Sequence, residues 1–141
     1  MSSESSVEVD WEEGYVFRGR DSRGREATYD SSETDSRNGF SPMQALLLSL
    51  GACSGMDVVA ILGKRKQRLR SLKVQVTGKR PLHGHPKPFT EIHLNYLLAG
   101  EGLERKFVEE AVGDSINKFC SVAATVSGKA KLSYSYKISE A

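Results

Sequence analysis

Cys53 and Cys120 are the only thiols in this chain of 141 residues, and each stands where a thiol can do more than fill space. Cys53 sits near the middle of SPMQALLLSLGACSGMDVVAIL, residues 41–62, the most apolar stretch of the sequence. Its neighbours Gly51, Ala52, Ser54 and Gly55 are small, which lets a backbone or a substrate approach the sulfur closely. Cys120 follows a second periodic segment and opens CSVAATVSGK, a stretch suited to a short helical turn. At a helix start the dipole favours thiolate, the form that attacks and is oxidised. Inert packing is the rival reading, because free cysteine is a small, well-buried hydrophobe. Distance along the chain does not by itself pair the two.

Other groups bear on this choice. Asp57 lies four residues after Cys53 on the same helix face. A carboxylate there raises a thiol pKa unless a cation neutralises it. Its bland reading is a carboxylate held at a subunit interface by backbone amides or a basic partner. His83 and His85 fall in a proline-punctuated loop, without the C-x-x-C or helical H-x-x-x-H spacing of a metal site, so no metal is expected. His93 alternates away from Ile92 and Leu94, toward the open face of a strand. Arg18, Arg20, Arg23 and Arg25 surround one hairpin. They form a charged turn unless one reaches a thiol. No phosphate-binding glycine loop and no nucleophile elbow occurs, so no cofactor is expected.

The elements that must position these residues follow from periodicity. Val7, Val9, Trp11, Tyr15 and Phe17 alternate, with turns at Glu12–Gly14 and Asp21–Gly24, giving a three-stranded meander over about 5–30. Residues 30–40 form a polar loop. Ser41–Pro42 opens a long central helix over about 41–68, with Gly51 or Gly55 as a point of disturbance and Gly63 as an alternative end. A second hairpin occupies about 71–98, broken by Ala99–Gly102. A second, amphipathic helix covers about 102–118, and a last strand about 129–138. The order βββ-α-ββ-α-β is mixed α+β in a single domain, 1–141.

Composition narrows the class. A net charge of +2 argues against nucleic acid as a partner. The basic run Lys64–Arg70 complements the negative end of the central helix. That helix is long enough to span a bilayer, but a central aspartate costs about 2.5–3.5 kcal/mol there and no second span exists, so no membrane is expected. A helix apolar on every side must otherwise be buried, and in so small a domain this requires a second subunit. The N-terminus lacks the pattern of a secretory signal, and two cysteines then suit a reducing, cytoplasmic setting.

Pro42 leading into Leu46–Leu48, then Gly51-Ala52-Cys53 and Asp57-Val58-Val59, resembles the OsmC/Ohr family, most closely its YhfA-like branch. Lys118-Phe119-Cys120-Ser121-Val122 before a final strand is similar to the family's second motif. The resemblance covers nearly the whole chain. It implies an intertwined α+β homodimer, with long helices buried at the centre and sheets wrapped outside. It also implies a thiol peroxidase. Cys53 would attack an organic hydroperoxide and become sulfenic acid, and Cys120 would resolve it as a disulfide. A dithiol such as a lipoyl group would then reduce that bond. An arginine of the N-terminal hairpin, Arg20 first and Arg18 second, would support the thiolate. One departure stands out. The family peroxidases clamp that arginine with a glutamate just after the helix-opening proline, where this sequence has Met43 and then Gln44. The departure implies weak peroxidase activity or a different substrate. The rival readings are a module that binds a small apolar ligand or senses redox state, and a structural dimer with inert cysteines.

Overall fold

A computed structural model of the chain describes residues 1–33 and 38–141. It has two compact units, Met1–Leu46 and Leu47–Ala141, each carrying one three-stranded sheet. The class is α+β, in the expected element order, except that the second helix ends in a π turn.

In the first unit, β1 (Glu8–Glu13), β2 (Val16–Arg20) and β3 (Glu26–Tyr29) form an antiparallel meander. Side chains alternate across a strand. One face therefore carries Trp11 opposite Phe17 and Phe17 opposite Tyr29, and the other carries Arg18 and Arg20, with Arg20 opposite Glu26. Of the polar loop expected over 30–40, residues 34–37 lie outside the described residues. The chain returns at Phe40, whose carbonyl accepts the Asp30 amide at 3.1 Å.

Helix α1 (Pro42–Lys64) starts with a reciprocal cap. The Gln44 amide donates to Ser41 Oγ at 3.2 Å, and the Ser41 amide donates to Gln44 Oε1 at 3.1 Å. The helix stops at Lys64, short of the expected Arg68. Lys66 takes a left-handed φ of 56°, and the Gln67 amide turns back to the Leu62 carbonyl at 2.9 Å. The basic run thus serves two elements. Arg65 bonds Glu110 at 2.7 Å, while Arg68 and Arg70 already belong to the next strand and pair with Glu101 across it.

In the second unit, β4 (Arg68–Lys79) and β5 (Glu91–Glu101) are antiparallel, and β6 (Lys131–Glu140) runs parallel to β5 at its other edge. The strands are longer than expected. Ala99–Gly102 does not end β5 at Leu98, because Gly100 is a ladder residue paired with Leu69 and Glu140. A Cβ at Gly100 would lie 2.3 Å from the Arg68 carbonyl oxygen. Glycine is there for close approach rather than as a breaker. Between β5 and β6, α2 (Arg105–Asp114) and a π turn over Ser115–Phe119 replace one helix over about 102–118, and α3 (Ser121–Val126) follows where a short helical turn was expected after Cys120. Ile92, Leu94, Tyr96 and Leu98 of β5 are buried, as are Leu50, Val58 and Leu62 of α1 and Val108, Ala111 and Val112 of α2.

Gly51 and Gly55 do not disturb α1. They seat it on β4, where a Cβ at Gly51 would fall 2.9 Å from Val76 Cγ2 and one at Gly55 3.7 Å from Val74 Cγ2. Valine is stiff at χ1 and cannot swing aside. Gly51→Ala is therefore expected to destabilise the protein by about 1–3 kcal/mol. Urea unfolding measures this, and a loss below about 0.5 kcal/mol would show that α1 can shift off β4 freely.

Candidate active site

Each cysteine is placed by a different segment. Cys53 lies at mid-helix on α1, half-buried, directly before the fully buried Ser54. Cys120 lies between the π turn and α3, in extended conformation, and is only 3% exposed. Both are free thiols. The Cys120 amide donates to the Ser115 carbonyl at 2.7 Å, closing the widened turn. Its Sγ caps α3 by accepting the Ala123 amide at 3.3 Å.

Sequence reasoning placed Cys120 at a helix start and expected thiolate to be favoured there. The position is right and the electrostatic consequence is overturned. Burial pushes the Cys120 thiol up to about 11; the Ala123 amide opposes this, and the hydrogen bond to Cys53 and the charge on Cys53 add to it. One amide of a short helix does not offset removal of the sulfur from water. The two cysteines are thus near enough for Cys53 to raise the Cys120 pKa, one half-open to solvent and the other enclosed.

A chain of buried hydroxyls runs beside this pair. Tyr96 Oη lies 2.5 Å from Ser54 Oγ, Ser54 Oγ lies 2.7 Å from Ser115 Oγ, and Ser115 Oγ donates to Asp57 Oδ2 at 2.9 Å. Ser54, Tyr96 and Ser115 are all fully buried. Burial pushes Tyr96 up to about 12, moderated by its bond to Ser54. Asp57 therefore has a hydroxyl partner from the π turn, where the sequence suggested amides or a base at a subunit interface.

Sequence reasoning missed Ser54, Ser115 and Tyr96 as polar site residues. A signal was present. Ser54 sits in the buried i, i+4 series Leu50, Ser54, Val58 and Leu62, and Ser115 continues the series Val108, Ala111 and Val112. Hydroxyls in core positions need partners, and facing ones supply each other.

Arg20 belongs to the first unit, whereas Cys53 and Cys120 belong to the second. Its Nε donates to Glu26 Oε2 at 2.5 Å, and Arg18 Nε donates to Glu12 Oε1 at 2.5 Å. The hydrogen bond from Arg20 is the main cause holding the Glu26 carboxyl below its ordinary range. Gln44 is engaged in the helix cap, and Met43 offers no acceptor, so neither side chain takes a guanidinium. His93 lies on the sheet face away from Ile92 and Leu94, its ring nitrogens 2.7 and 2.8 Å from the Ser133 and Ser135 hydroxyls.

Comparison with known proteins fits this architecture. The OsmC-like protein family matches residues 33–135. Protein YhfA of Escherichia coli K12 is 34% identical over 130 residues, 92% of this chain and 95% of its own length. A crystal structure from Aquifex aeolicus VF5 is 34% identical, superposes with a TM-score of 0.87 and is covered at 99% in both chains. The organic hydroperoxide resistance protein OhrB of Bacillus subtilis shares the fold, with a TM-score of 0.67 at 14% identity and coverage of 96% of this chain and 98% of its own. Helix α1, apolar and long enough to cross a membrane by length and composition, lies within the matched residues. The chain belongs to the OsmC-like family and is a homologue of YhfA.

Proposed function

We propose that this protein is a thiol-dependent peroxidase acting on organic hydroperoxides, with Cys53 as the attacking sulfur and Cys120 as the resolving one. The proximity of the two cysteines, near enough for Cys53 to raise the Cys120 pKa, supports this reading. Cys53 is the more accessible, and the enclosed Cys120 keeps its proton until it is needed. The Cys53 thiolate attacks the peroxide oxygen, the O–O bond breaks, and the alkoxide leaves as an alcohol after taking a proton. Cys53 is then a sulfenic acid. The Cys120 sulfur attacks it, its proton leaves with the hydroxide as water, and a disulfide remains. A dithiol reductant such as a lipoyl group restores both thiols by exchange.

Arg20, with Arg18 as the alternative, is the cation assigned to support the thiolate and the leaving oxygen. Glu26 and Glu12 hold these arginines from within their own sheet. Charge shared with a carboxylate supports a thiolate less, so activity is expected to fall below that of family members with the glutamate at position 43. The same ion pairing favours the second reading, a non-catalytic module that binds a small apolar ligand or senses redox state.

The protein works as a cytoplasmic homodimer in this proposal. Leu48, Met56 and Val59 of α1 are 49%, 71% and 53% exposed in the single chain, as is the Val9–Trp11 face of β1. Large apolar side chains exposed on one helix in this way are normally covered.

Titration of thiols before and after one equivalent of cumene hydroperoxide tests the reaction. Wild type is expected to lose both thiols together, Cys120→Ser to lose its single thiol, and Cys53→Ser to keep its own. Survival of both wild-type thiols would sink the peroxidase reading in favour of the binding module. Site-resolved iodoacetamide labelling tests the division of labour. Because the Cys120 pKa is raised, its labelling should stay slow through neutral pH and rise with a midpoint near 11. A midpoint at or below about 8.5, the ordinary thiol value, would remove Cys120 from the protonated role.

A further inference from the structure

We propose that Ser115, anchored on Ser54 and Asp57, is the positioning residue that holds the Cys120 thiol against Cys53. The inference deepens the dithiol reading above and rests on it.

Ser115 grips both cysteine-bearing segments at once. Its hydroxyl meets Ser54, the residue directly after Cys53, at 2.7 Å. Its carbonyl accepts the Cys120 amide at 2.7 Å. No other described residue is shown bonding both segments in this way. The grip is also directional. A serine or tyrosine hydroxyl has a single proton to donate. Ser115 gives its proton to the Asp57 carboxylate at 2.9 Å, a stronger acceptor than the Ser54 carbonyl at 3.4 Å. Ser115 must then accept from Ser54, and Ser54 from Tyr96. The chain reads Tyr96 to Ser54 to Ser115 to Asp57, with one proton in each link and none left over. Deleting the Ser115 hydroxyl leaves the buried Ser54 proton without its acceptor, so the hold between the two segments is lost.

The turn itself makes the position matter. Ser115–Phe119 is a π turn, which holds one more residue than an α turn, and such turns recur at functional sites. If the hold on Ser115 is released and the turn tightens to α geometry, the following residue is rotated by about 100° about the helix axis. Cys120 is that residue. The buried hydroxyl contact therefore selects the register that sets where the Cys120 sulfur lies relative to Cys53.

The test needs no peroxide. Reduced protein is equilibrated in glutathione buffers of graded ratio, and the Cys53–Cys120 disulfide is quantified by mass, which gives the effective concentration of one thiol toward the other. Ser115→Ala and Asp57→Leu are each expected to lower that value at least tenfold, equivalent to about 30 mV in potential. Asp57→Asn keeps an oxygen that accepts from Ser115 and should stay within threefold of wild type. A role confined to general stability would not produce this rescue. If Ser115→Ala does not fold, the half-buried Asp57 carries the test through its two variants. Wild-type values in Asp57→Leu or Ser115→Ala would overturn the positioning role, as would an Asp57→Asn loss as large as that of Asp57→Leu. Failure of wild type itself to form the disulfide at any ratio would instead bring down the dithiol reading, and this inference with it.

Discussion

The hydroxyl contact between Ser54 and Ser115 is the interaction on which the site depends. Two polar groups are placed in the core of a unit otherwise packed with Leu50, Val58, Leu62, Val108 and Val112. In that setting a lone hydroxyl is costly and a pair is acceptable, because each supplies what the other lacks. The chain extends from the phenol of Tyr96 on β5 to the half-buried carboxylate of Asp57, so that no buried side-chain oxygen or nitrogen among the described residues lacks a partner. Strand, central helix and π turn are joined by polar links that have one good geometry. Apolar packing alone tolerates many.

Enclosure also decides the chemistry of the sulfurs. At Cys120 the amide at the start of α3 favours thiolate and burial opposes it, and burial dominates. The two cysteines therefore differ in exposure, one enclosed and the other half-open to solvent. Gly51 contributes by letting α1 lie close on β4, two residues before Cys53.

Period-two and helical periodicity made every strand and both main helices legible, because alternation and the 3.6-residue repeat act locally. The boundaries were less so, for identifiable reasons. Helix α1 ends at Lys64, at the Gly63 alternative rather than at Arg68, with Lys66 left-handed beyond it, and Gly100 continues a strand although glycine usually breaks one. The two cysteines and Asp57 were visible as candidates by residue type. The hydroxyl chain was not, since Ser54 and Ser115 come together only when the π turn folds against α1. A serine in an apolar periodic series announces a buried polar group, but its partner lies 61 positions away.

The same limit governs the arginines. Sequence alone could not choose between Arg18 and Arg20, and the register explains why: two residues apart on β2, they project from the same face and share Glu26. Nor could it say what replaces a carboxylate at position 43. Gln44 spends its side chain on the Ser41 amide, so the start of α1 is closed as a cap rather than left open as an arginine clamp. The carboxylates that orient the guanidinium groups come instead from β1 and β3. They fix the arginines to their own sheet.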